Sequence, residues 1–162
     1  HLNHLLSGGA RMKLETLLEQ NQSNYYKMLV IIDNSRQHEK LTEVLEPQGW
    51  QDFNVTDHIL AFIENIPENE RRLRIGRIIK EWFKGLPDKV ILYDTSILFS
   101  PELGRLNPVG AFKYKSREKE IIAVINGQIY GERVRYSEPG RDDYTEMDVS
   151  ELIHSRIEDI EF

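Results

Sequence analysis

The chain contains no cysteine, which removes disulfide staples, thiol catalysis and cysteine-bound zinc together. No stretch approaches the roughly 18 consecutive apolar residues of a membrane-spanning helix. The opening HLNHLLSGGA lacks the basic start and long apolar core of a secretory signal. These absences lead to an expected cytoplasmic location. There is no G-x-S-x-G turn to present a serine nucleophile. The histidines are scattered, and His38, His58 and His154 read as surface or partly buried residues rather than metal ligands. Tyr25, Tyr26, Trp50, Trp82 and Phe83 fit core or strand-edge roles better than base stacking.

What remains is the composition of a folded domain: 40% hydrophobic and 30% charged residues over a length that suits one core. Residues 1–11, with their Ser-Gly-Gly-Ala, read as an appended linker segment, and 12–162 as a single α/β domain with an acidic C-terminal end. The net charge of −6 argues against a main task of coating nucleic acid. The charge is uneven, however. Arg71, Arg72, Arg74, Arg77 and Lys80 cluster, whereas the chain after Tyr136 has nine acidic residues against two basic ones. The basic cluster reads either as a solvated helix face or as a contact for a partner or nucleic acid.

Leu14, Leu17 and Leu18 predict a short helix over 13–20. The apolar run 28–32 predicts a buried strand, followed by a helix over 37–45 that Pro47 and Gly49 stop. A second strand is expected over 50–55, after which Asp57 can cap a helix bearing Ile59, Phe62, Ile63 and Ile66. Pro67 breaks it, and Asn69 can cap a longer helix. There Ile75, Ile78, Ile79, Trp82, Phe83 and Leu86 share one face and leave Arg71, Arg74 and Arg77 outward. Apolar runs at 90–93 and 121–125 complete three buried strands separated by helical patterns, which argues for a parallel sheet covered on both faces. Beyond Asn126-Gly127 shorter strands are expected, with a hairpin turning at Gly131-Glu132, and one more strand or helix after Asp148.

Ligands of such sheets sit beyond the carboxyl ends of the strands. That rim holds Asp33-Asn34, Asp94-Thr95-Ser96 and Asn126. The stretch MLVIIDNSRQHEKLTEVL (28–45) is a strand, turn and helix where many α/β proteins carry a glycine-rich phosphate loop, yet the turn has no glycine. In the best register the loop starts at Asn34 and Lys40 takes the lysine position, but Glu39 replaces the last glycine and Leu41 the Ser/Thr that would hold magnesium. VILYDTS (90–96) fits a magnesium-orienting strand better: Asp94 follows four apolar residues, with Thr95 where a water-activating acid would stand. Capping of the next helix by Asp94 is an equal reading. A phospho-receiver site, with Asp33 and Asp94 sharing magnesium, lacks the further acid, since Asn34 stands there.

Four stretches, YYKMLVII, VILYDTSILFSPEL, EIIAVING and RYSEPGRDDY, resemble in order those of the BrxF family, small P-loop-fold proteins of BREX-type bacterial anti-phage defence clusters. The resemblance spans 25–152, and the spacing of Tyr136, Glu138, Pro139, Gly140 and Tyr144 is its most distinctive part. It implies an α/β, three-layer parallel sheet of the P-loop NTPase (ASCE/AAA-like) type with a small C-terminal strand hairpin. It also implies a role as an accessory component of a complex that distinguishes host from phage DNA. Family members generally carry the glycine-rich loop missing here. Lys40 and Asp94 carry over to the loop and magnesium positions, with Asn34 beside them. Asn126 falls where such folds sense the γ-phosphate, and Arg117 is an intersubunit arginine or a surface ion-pair partner. The resulting expectation is a pseudo-NTPase interaction module that binds no cofactor. Its expected partners are the other BREX components, including the large ATPase, contacted through Arg71, Arg74, Arg77 and the acidic end. The rivals are a weak Mg²⁺-ATP binder that completes its site in a homo-oligomer, with Asp94 as metal ligand, and a DNA-contacting subunit using the helix over 71–80.

Overall fold

The computed structural model describes residues 11–162. The linker reading of 1–11 therefore lies outside the described residues except at Arg11, whose guanidinium donates to the Ile160 carbonyl (3.1 Å). In chain order the elements are β1 (Met12–Lys13), α1 (Leu14–Ser23), β2 (Met28–Ile32), α2 (Glu39–Leu45), β3 (Gln51–Asn54), α3 (Val55–Ile63), α4 (Glu68–Lys84) and β4 (Lys89–Tyr93). They continue with α5 (Pro108–Phe112), β5 (Glu120–Ile125), β6 (Gln128–Tyr130), β7 (Arg133–Tyr136), β8 (Thr145–Asp148), β9 (His154–Arg156) and β10 (Ile160–Glu161).

The central sheet has five parallel strands in the order β3-β4-β5-β2-β9. The continuous apolar runs are its three middle strands, because strands covered on both faces have no solvent side to alternate toward. Alternation instead divides the two cores: Met28, Val30 and Ile32 of β2 join one cluster, Leu29 and Ile31 the other. The connection from β2 to β3 runs one way across the sheet; those from β3 to β4, β4 to β5 and β5 to β9 run the opposite way. Right-handed crossovers then place α2 on one face and α3, α4 and α5 on the other. The clusters agree: Leu41 and Leu45 of α2 pack with Leu14 and Leu17 of α1, while Ile59, Ile75, Ile79, Phe83 and Phe112 pack on the opposite face.

Several local expectations are corrected. Asn54, not Asp57, caps α3, accepting from the Asp57 N–H at 2.9 Å. The longer helix starts at Glu68 directly after Pro67, so Asn69 lies inside it. The hairpin turning at Gly131-Glu132 forms, but β8 adds to it, giving an antiparallel meander of three strands. The end of the chain supplies β9 at the sheet edge and β10, which pairs with β1. No described helix is long and apolar enough to cross a membrane.

Candidate functional site

Connections from the neighbouring strands β2 and β5 leave toward opposite faces, so the sheet's topological switch point lies between their carboxyl ends. The crevice there is bridged by the protein itself. The Asn34 amide donates to the Gly127 carbonyl (2.8 Å) and accepts from the Gly127 N–H (2.9 Å), a reciprocal pair across the two strand ends. Asn126 donates to the Asp33 carbonyl (3.2 Å) and accepts from the Ser96 hydroxyl (3.0 Å).

The turn over 33–38 folds around a carboxylate. Asp33 is only 3% exposed. Its Oδ1 accepts from the Ser35 N–H (3.0 Å) and its Oδ2 from the His38 N–H (2.9 Å). A glycine loop would direct such N–H groups at phosphate oxygens; here a resident anion takes them. Burial pushes the Asp33 carboxyl up, but the N–H groups of Gln37, Ser35 and His38 outweigh it and hold it below its ordinary value. His38 is buried, contrary to its sequence reading. Its Nδ1 lies 3.4 Å from Asp33 Oδ2 and its ring stacks on Tyr93 at 4.7 Å. Burial first, then the carboxylates of Asp52 and Asp94, push the Tyr93 hydroxyl up.

Asp94 is met by a resident cation. Arg36, in the left-handed region at φ 56°, reaches across the rim so that its guanidinium donates to Asp94 Oδ1 at 3.0 Å. The Asn54 amide donates to Oδ2 (2.8 Å) and the Thr56 hydroxyl to the Asp94 carbonyl (2.7 Å). Asp94 is itself left-handed at φ 49°, and its carboxylate makes no cap to the following helical turn. Thr95 is buried, its hydroxyl donating to the Val124 carbonyl (2.8 Å).

The rim thus gathers Asn34, Asp94 and Asn126 as expected from the sequence, but Lys40 stands apart, exposed, with its ammonium 3.4 Å from Gln37 Oε1. Sequence reasoning missed Arg36, Asn54 and Thr56; the only signal was that Arg36 is the sole cation inside the glycine-free turn. Arg71 and Arg72 turn toward backbone carbonyls, of Ile66 (3.0 Å) and Pro101 (2.6 Å), which leaves Arg74 and Arg77 as the outward arginines of α4. Arg117 lies at the opposite, amino edge of the sheet, stacked over Tyr25.

The residues present fit Mg²⁺-nucleotide poorly. The loop donors point at Asp33, the magnesium carboxylate holds a guanidinium, and among the described residues no three His, Asp or Glu side chains group closely enough to hold a metal ion. Comparison with protein-family models, curated proteins and solved structures finds no match.

Proposed function

We propose that this chain is a pseudo-NTPase of the ASCE P-loop class, retained for its shape as an interaction module of a bacterial BREX-type phage-defence complex. The observation that carries the pseudo-NTPase reading is the self-occupied rim. Asp33 takes N–H groups that a phosphate would need, and Arg36 sits on the carboxylate that would orient magnesium. The class is supported by the position of β5, which lies between the loop strand β2 and the Asp94 strand β4 and brings Asn126 beside the loop. The defence assignment rests on the four sequence stretches named above.

The test is calorimetric titration with ATP and a non-hydrolysable analogue, with and without Mg²⁺. The expected result is no heat of binding under either condition. Saturable, Mg²⁺-dependent binding that disappears in Asp94→Ala would overturn the reading and favour a working site completed in an oligomer. For the partner, co-expression with the large ATPase of such a system is expected to retain this chain on the tagged ATPase, and its loss in the wash would remove the module role.

A further inference from the structure

The amino edge of the sheet, opposite the rim, carries a second constellation. Residues 113–119 read KYKSREK and lead into β5. Lys115 and Lys119 face Lys80 and Lys84, from the last turns of α4, across a cavity of about 320 Å³ also lined by Tyr114 and Glu118. Lys119 is structural, donating to the Phe83, Lys84 and Leu86 carbonyls that end α4. Lys84 has Glu81 as partner at 3.5 Å. Among the described residues, Lys80, Lys115 and Arg117 have no carboxylate within ion-pair distance.

Aromatic rings continue from this cavity. Tyr114 is 68% exposed and Tyr25 59% exposed. Tyr26 lies between them and meets both edge-on, at 4.8 Å from Tyr25 and 5.6 Å from Tyr114. Arg117 lies over the Tyr25 ring (4.4 Å) and Lys113 over that of Tyr26 (4.8 Å). Tyr25, expected from the sequence in the core or at a strand edge, is exposed in the bend between α1 and β2.

We propose that this edge binds a single strand of nucleic acid, with phosphates at Lys80 and Lys115 and bases stacked on Tyr114 and Tyr25. Cations without a carboxylate partner, interleaved with exposed rings, are what such binding needs: charge tracks the backbone, and every base offers a π-face. The Lys115 ammonium donates one hydrogen to the Ala111 carbonyl (2.7 Å) and keeps two for a phosphate. An acidic polypeptide would use the lysines and leave the rings idle. A lone nucleotide would fill the cavity and leave the row of rings beyond it empty. Burial and the neighbouring Lys80 both lower the Lys115 ammonium pKa, a strain that a bound phosphate relieves. The overall charge of −6 is no obstacle, because screening over about 8–10 Å lets the local sign decide.

The test is fluorescence anisotropy of a labelled oligothymidylate of about 16 nucleotides. Binding is expected to fall steeply between about 50 and 200 mM salt. It is expected to weaken about tenfold in Tyr114→Ala and in Lys80→Glu, and to stay unchanged in the Arg74→Ala/Arg77→Ala variant. Lys80 and Tyr114 are exposed, so far-UV circular dichroism should match the parent in both single variants. The proposal is overturned by absence of binding at the lowest salt, or by a mononucleotide or the matching duplex binding as tightly. Displacement by polyglutamate as readily as by unlabelled oligonucleotide, or equal affinity in Tyr114→Ala, also overturns it.

Discussion

The Asp33 carboxylate ties the turn after β2 to itself, and its titration is the most direct handle on that turn. Burial raises its pKa, the N–H groups of Gln37, Ser35 and His38 lower it by more, and the result lies below the ordinary 3.8. The unfolded chain therefore takes up this proton first as pH falls. The stabilisation is complete above 3.8 and is lost as pH drops through the lower folded value. Asp33→Asn is expected to lower stability at neutral pH by about 1–3 kcal/mol, because buried donors lose an ionised acceptor. It should also make the acid loss shallower than in the parent, as measured by urea unfolding across that range; parallel acid profiles would exclude the role. Arg36 and Asp94 make a different kind of contact. Both are left-handed non-glycine residues, and Arg36 is too exposed for its ion pair to repay that strain.

Among the elements, the buried strands were legible because continuous apolar runs have one physical use in a covered parallel sheet. Helix starts were less so: Asn54 competes with Asp57 as a cap, and sequence alone does not say which carbonyl ends the preceding strand. The meander after β5 depends on Gly127. A Cβ there would stand 2.8 Å from the Arg135 carbonyl oxygen and 3.0 Å from Val134 Cγ1. Neither neighbour can give way easily, since Val134 is fully buried and Arg135 is in the β6–β7 ladder. Gly127→Ala is expected to cost about 1–3 kcal/mol and to loosen the Asn34–Gly127 bridge. Thermal unfolding measures the first and amide exchange at Gly127 the second; an unchanged melting temperature would show that the meander shifts freely.

For the molecule as a whole, the last residues close the sheet. β9 pairs with β2, and Ile157 and Ile160 complete the core under α1 and α2. Burying each isoleucine contributes about 1.5–3 kcal/mol, so losing both, with the strand ladder, removes much of a typical total of about 5–15 kcal/mol. A chain ending at Ile153 would also expose the edge of β2, a template for intermolecular pairing. It is expected to self-associate on gel filtration and to melt without a cooperative transition. A monomer with a sharp transition would show that the other four strands suffice.

By itself the sequence determined the α/β class, the three central strands and the rim where Asp33, Asp94 and Asn126 meet, because apolar periodicity and strand polarity are local properties. It also showed a turn after β2 without glycine. Only the tertiary structure decided that Asp33 and Arg36 fill that rim and that Tyr25, Tyr114 and the lysines of 113–119 join Lys80 at the other edge. The Asp33 turn closes locally, on Ser35 and His38; the Arg36–Asp94 contact and the second cluster join residues far apart in the chain, and only the strand order and crossover handedness bring those together.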